Sequence, residues 1–381
     1  MNFSAPKNPL GTKTLGRAMK RNATVGTITL GATALLLTGC GAAPSPSGSS
    51  SSGAAASKYI ACMVSDSGGF DDKSFNQSGF EGLQKATKDL GITEKHAESK
   101  ANTDYDPNVR SMVQQGCNLT VTVGFLLGDT TKSAAQANPD KHFAIIDYSD
   151  NTFPKNVKPI VYNTAQAAFL AGYLAAGTTK TGKVATFGGQ NIPTVTIFMD
   201  GFADGVKYYN EKKNGKVQLL GWDKDKQDGT FVGDFESVDK GKVLTQGFLD
   251  QGADIVMPVA GPVGSGAGTA ITEAKAKGTD AKLIWVDSDG YVTAPEYKSV
   301  ILTSVEKTMS TAVETVIKDD KDGKFDPTPY VGTLENGGVV LAPFHDLDSA
   351  VSADMKSELD QLKKDIISGT VKVDSKSTPA T

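Results

Sequence analysis

Histidine and cysteine are scarce in this chain of 381 residues, with three of each. His96, His142 and His345 are far apart, and no CxxC or Cys/His cluster occurs, so no metal site is expected. No GxGxxG fingerprint is present and no Gly-Lys-Ser/Thr follows a glycine-rich loop. Neither a dinucleotide site nor a P-loop is therefore indicated, and no cofactor is called for. Beyond the first forty residues, no apolar run is long enough to cross a bilayer. Basic residues do not outnumber acidic ones, at 39 Lys and Arg against 43 Asp and Glu. Nucleic acid is thereby excluded as a partner, since its phosphates need a basic face. Aromatics are only 7%, so each well-placed ring carries weight.

What is present begins with a leader. Lys7, Lys13, Arg17, Lys20 and Arg21 are the only charges before position 40, and an apolar stretch from Ala23 to Leu37 follows. That order is the layout of a secretory signal, too short for a membrane span. Met19, just before Lys20 and Arg21, is an alternative start. The stretch ends in Leu37-Thr38-Gly39-Cys40, which resembles the lipobox of bacterial lipoproteins. The resemblance implies cleavage after residue 39, a diacylglycerol on Cys40 and membrane anchoring through the lipid. Gly41–Ser57 is almost all Gly, Ala, Ser and Pro, a flexible tether. Losing residues 1–39 removes five positive charges and no negative ones, taking the formal charge from −4 to −9.

From Lys58 onward, short apolar runs alternate with helical periodicity. Strands are expected at 59–65, 119–124, 143–147, 157–162, 183–187, 216–220, 254–259, 282–287 and 299–304. Helices are expected at 72–90, 106–115, 129–138, 164–177 (capped by Thr164), 195–210, 239–251, 266–277, 307–319 and 349–368. Strict β-α alternation predicts parallel sheets covered on both faces. Two such series predict an α/β protein of two similar lobes. Ligands of such sheets bind beyond the carboxyl ends of strands. Here those ends read Ser65-Asp66, Gly124-Phe125, Asp147, Gly188-Gly189, Gly261 and Asp287.

With Cys40 assigned to lipid, Cys62 and Cys117 remain. Outside the membrane they either pair or stand as two buried thiols, and the sequence favours neither.

Gly68-Gly69-Phe70-Asp71-Asp72-Lys73-Ser74-Phe75-Asn76-Gln77 resembles the leading motif of the basic membrane protein family of bacterial lipoproteins. The match continues in order. It runs through Val123-Gly124-Phe125, Ala144–Asp147, Ala171–Ala176, Gly201-Phe202 and Gly205. It then takes in Gly233-Asp234-Phe235, Gln251–Asp254, Gly261/Gly264/Gly266, Val286–Asp289 and Leu302–Lys307. The resemblance implies the periplasmic-binding-protein type I fold and a role as substrate-binding component of an ABC transporter, with a permease and ATPase as partners. Several members of the family bind purine nucleosides. The implied organisation is a first lobe of 58–163 plus 291–325, a second of 164–290 plus 326–368, and a tail of 369–381.

By carry-over onto matching positions, Phe75 and Phe235 are implied as aromatic walls around a base, where the plain alternative is two core rings. Asn76 would meet a base edge. Asp147 is either a helix cap or a ligand contact. Asp287 and Lys307 are implied as sugar contacts, against a solvated helix-start charge for Lys307. Asp72 and Ser74 read first as caps and second, with Phe125, as ligand contacts. Gly261, with Gly264, Gly266 and Gly268, forms a turn whose backbone can approach a sugar hydroxyl. Two departures from the family stand out: Gly290 where Gln often follows Asp-Ser-Asp, and Gly69-Phe70 where Gly-Ile is frequent. A transport receptor is the leading expectation. A nucleoside hydrolase lacks an evident acid–base pair or metal cluster, and a non-transport sensor is not separated by sequence.

Overall fold

A computed structural model describes residues 58–380. Residues 1–57 and 381 lie outside that set, and with them the expected leader, Cys40 and tether. Among the described residues no helix is long and apolar enough to cross a membrane.

The order of elements is β1 Ile60–Ser65, α1 Phe75–Leu90, β2 Thr93–Ala97, α2 Tyr105–Gln114, β3 Leu119–Val123, α3 Gly128–Ala137, β4 His142–Ile146 and β5 Val157–Tyr162. There follow α4 Ala165–Thr178, β6 Lys183–Gly188, α5 Pro193–Lys213, β7 Gln218–Leu220, the hairpin strands β8 Trp222–Asp223 and β9 Asp228–Gly229, α6 Val238–Asp250 and β10 Ile255–Val259. The chain continues with α7 Gly264–Ala276, β11 Lys282–Asp287, α8 Gly290–Thr293, β12 Ile301–Lys307, α9 Met309–Lys321, β13 Tyr330–Gly332, β14 Val339–Leu341 and α10 Ala353–Ile367.

Two six-stranded sheets result, ordered β13-β5-β4-β3-β1-β2 and β14-β12-β11-β10-β6-β7. Every pairing in the first is parallel. The second departs from the expected all-parallel pattern at one edge, where β14 runs antiparallel to β12. Central strands such as β3 and β10 are buried along their whole length, as strands covered on both faces must be. The edge strand β2, Thr-Glu-Lys-His-Ala, is polar and half exposed, so it carries no apolar signal and is absent from the sequence reading.

The chain crosses between lobes after β5, after β12 and between β13 and β14. This corrects the expected lobe boundaries. Residues 301–307 fall in the second sheet although 291–325 was assigned to the first lobe, and β13 joins the first sheet although 326–368 was assigned to the second. Helix α9 does belong to the first lobe, where it packs on α1; a Cβ on Gly82 would lie 2.6 Å from the Ser310 carbonyl oxygen. In the second lobe, α4 is buried on all sides from Ala167 to Ala176. It lies against α5 at backbone distance, since a Cβ on Gly172 would sit 2.1 Å from the Phe202 carbonyl oxygen and one on Gly205 2.0 Å from that of Phe169. The family-like glycines of these helices thus serve packing. Thr164 occupies the position before α4, but its hydroxyl makes no cap hydrogen bond.

Cys62 and Cys117 form a disulfide, which resolves the open alternative and ties β1 to the residue two before β3. The tail packs rather than trailing: Ser375 Oγ donates to Asp200 Oδ2 at 2.7 Å, and the hydroxyls of Ser377 and Thr196 are 2.9 Å apart.

Candidate functional site

The carboxyl ends of both sheets face one interlobe cavity. Phe75, Asn76, Phe125 and Asp147 line it from the first lobe; Phe235, Gly261 and Asp287 do so from the second. Lys307 lines it from the crossing after β12. The family resemblance implied a sugar contact here, with a solvated charge at the start of a helix over 307–319 as the plainer alternative. Lys307 is the last residue of β12 and only 4% exposed, because α9 begins two residues later at Met309.

The polar centre is built by strand ends. Asp147 directly follows β4 and Asp287 ends β11, with φ angles of 66° and 70°. Non-glycine residues rarely enter this left-handed region, and outliers of this kind cluster at functional sites. Lys307 Nζ lies 2.5 Å from Asp147 Oδ2 and 3.1 Å from Asp287 Oδ1. Burial lowers the ammonium's pKa, but Asp147 and then Asp287 outweigh it, so Lys307 is raised and stays charged. Asp147 is raised by burial, with Lys307 opposing. The same ammonium sits 4.7 Å from the centroid of the Phe75 ring and 5.1 Å from that of Phe198.

Asp72 caps α1 with its side chain, as its first reading held. Its oxygens accept from the amides of Ser74 at 2.9 Å, Asn76 at 2.8 Å and Gln77 at 3.0 Å. Burial nevertheless pushes its carboxyl up to about 6, against the pull of those three amides. It also lines the cavity. Ser74 does not cap. Although it stands at the N-cap, its hydroxyl donates to the Val286 carbonyl at 2.9 Å, across the cleft. It is absent from the cavity lining.

The Asn76 Nδ2 group donates to Asp66 Oδ1 at 3.2 Å, while its Oδ1 is buried without a protein partner. Asp66 is a lining residue that the sequence reading passed over as a site. Burial raises its carboxyl well above the usual range, with the Asn76 bond opposing. Room for it comes from Gly124, where a Cβ would lie 1.8 Å from Asp66 Oδ2. The signal was its place at the end of β1. Phe198 was also missed, because in the buried first half of α5, between Ile197 and Met199, it is indistinguishable from core. Phe235 is seated against Gly189, whose Cβ would come within 2.4 Å of the ring. The turn before α6 is held by Asp234, which accepts from the Ser237 amide at 2.7 Å.

The glycine-rich turn is smaller than expected. Gly261, with φ 54°, lines the cavity, but Gly264, Gly266 and Gly268 already belong to α7. A Cβ on Gly266 would lie 2.0 Å from the Val238 carbonyl oxygen, and one on Gly268 2.7 Å from the Tyr297 ring. These glycines meet protein. Among the described residues no group of three or more His, Cys, Asp or Glu is placed to hold a metal.

Two α/β lobes with a lined cleft between their strand ends define the solute-binding-protein architecture. A solved solute-binding protein of an ABC transporter system from Aeropyrum pernix superposes with a TM-score of 0.76 at 25% identity, covering 85% of this chain and 94% of that one. The fold is periplasmic-binding-protein type I. Residues 60–377 match the family described as Bmp, ABC transporter substrate-binding protein PnrA-like, and the chain belongs to that family. Among curated relatives, the ABC transporter nucleoside-binding protein BmpA of Lactococcus lactis is 34% identical over 94% of this chain and 99% of its own length. Basic membrane protein A of Borreliella burgdorferi is 30% identical over 81% of this chain and 86% of its own.

Proposed function

We propose that this protein captures a nucleoside, with purines favoured, in the interlobe cavity. Anchored to the outer face of the cell membrane by lipid on Cys40, it delivers the nucleoside to an ABC permease and its ATPase. The observation that carries the reading is one cavity lined by aromatic rings from opposite lobes, Phe75 and Phe235, and by the charged set of Asp147, Asp287 and Lys307. A base stacked on an aromatic face gains roughly 1–3 kcal/mol. The carboxylates accept from sugar hydroxyls or ring N–H groups in charge-assisted bonds. The buried oxygen of Asn76 offers an acceptor to a base edge. The nucleoside-binding name of the Lactococcus relative points the same way. Closure follows only if the solute binds the closed lobes more tightly than the open ones.

A thermal-shift screen of residues 58–381 against adenosine, inosine, guanosine, uridine, free bases, sugars and amino acids tests this. A tight ligand raises the melting temperature by mass action. Shifts with sugars or amino acids alone would refute the nucleoside reading. Release of free base during incubation would point to a hydrolase.

A further inference from the structure

The lobes also hold each other directly, at one rim of the cleft. Lys73, in the first lobe, has a φ of 60°, which turns its carbonyl toward the second lobe. Three donors of that lobe surround the carbonyl oxygen: Trp285 Nε1 at 3.2 Å, Ser288 Oγ at 3.0 Å and Thr293 Oγ1 at 2.7 Å. A carbonyl has two lone pairs. The indole N–H and the nearest hydroxyl, that of Thr293, fill them. Ser288 Oγ, 2.9 Å from Thr293 Oγ1, then donates to that oxygen and fixes its rotamer. Beside this knot, Ser74 Oγ donates to the Val286 carbonyl, and the Lys73 ammonium pairs with Glu296 at the rim.

The donor set is shaped by a residue that departs from the family pattern. A Cβ on Gly290 would lie 2.5 Å from Cγ of Trp285. Glycine at 290 therefore lets α8, which carries Thr293, lie flat against the indole. Of these residues, only the neighbours Asp72, Phe75, Asn76 and Asp287 line the cavity; Lys73, Trp285, Ser288 and Thr293 do not.

We propose that Trp285, Ser288 and Thr293 form a closure latch on the Lys73 carbonyl. They are positioning residues that hold Phe75 and Asn76 over the cavity when the lobes meet. The latch supplies closed-state interactions that the solute does not have to provide, so it raises the closed population of the free protein. Once a solute is enclosed, it slows release. The effect on the solute rests on the two-lobe binding reading above; the effect on the free protein does not.

The test is Thr293→Val combined with Ser288→Ala, which removes both hydroxyls at nearly constant volume. Small-angle X-ray scattering of the ligand-free protein should show a larger radius of gyration in the double variant than in the parent. Stopped-flow release of inosine should be about tenfold faster, as expected for one lost hydrogen bond between the lobes. Thr293→Ser, which keeps a donor, should restore the parent's scattering and release rate. Thermal unfolding of each variant checks folding. Identical scattering and release in parent and double variant would overturn the latch. So would failure of Thr293→Ser to restore them in a folded protein. If inosine does not bind the parent at all, the nucleoside reading fails, and the scattering comparison alone decides the latch.

Discussion

Lys307 and Asp147 meet across the lobe boundary, with 2.5 Å between the ammonium and Oδ2. Asp147 follows the strand β4 of the first sheet, and Lys307 ends β12 of the second. Asp287, on the neighbouring strand β11, takes the other side of the ammonium at 3.1 Å. One buried cation thus compensates carboxylates from both lobes, and the chain passes to the first lobe immediately after it.

Replacing Lys307 by Met leaves those carboxylates buried without their cation. Removing one partner of a buried ion pair costs about 3–5 kcal/mol, because the remaining charge stays desolvated. Urea unfolding of the Lys307→Met protein should show a loss of that size. Adding Asp147→Asn should recover part of it. No loss in the single variant would mean that solvent reaches the site.

Phe75→Ala removes one ring from the cavity wall, and Asp287→Ala removes one acceptor. Each should weaken nucleoside binding by at least tenfold in calorimetric titration, given roughly 1–3 kcal/mol for a stacked base. Both proteins should remain folded by circular dichroism. Undiminished affinity in both would place the solute elsewhere.

Glu306 gives stability a pH dependence. Burial, and then the charge of Asp289, pushes its carboxyl up to about 7 from 4.5. Between those values the folded protein keeps a proton that the unfolded chain has lost. The group's contribution is therefore complete below about pH 4.5 and falls away as pH rises through 7. At about 1.4 kcal/mol per unit, the full change is about 3 kcal/mol. Glu306→Gln should flatten the stability profile over that window and leave the variant more stable than the parent at pH 8. A parallel pair of profiles would show that Glu306 titrates normally.

The legible part of the molecule was the part with apolar periodicity. Central strands and most helices followed from it, and the acidic strand ends were visible beside them, whereas Phe75 and Phe235 were implied only by the family resemblance. Polar β2 and the three-residue strands β13 and β14 left no such trace. The lobe boundaries failed for a related reason, since β12 looks like its neighbours and only pairing assigns it to a sheet. The start of α9 was placed two residues early, at Lys307 rather than Met309, because a polar residue at a strand end carries no periodicity of its own. Ser74 was misread because serine at an N-cap normally bonds its own helix, whereas here Asp72 already satisfies those amides.

The bond between Cys62 and Cys117, 55 residues apart, closes a loop containing α1, β2 and α2. Removing it should lower stability by about 2–4 kcal/mol, through greater freedom of the unfolded chain. Denaturation of the Cys62→Ser, Cys117→Ser protein measures this directly. Equal midpoints for parent and variant would argue that the thiols are reduced in the native protein.

The interleaved path of the chain bears on how the protein is made. Neither sheet is complete until β13 and β14 have emerged, and these strands come after residue 329. Neither lobe can therefore mature while the other waits. A nascent chain held unfolded for secretion would reach its native form in one late step, with both halves assembled together, and an early stop codon would spoil both halves at once.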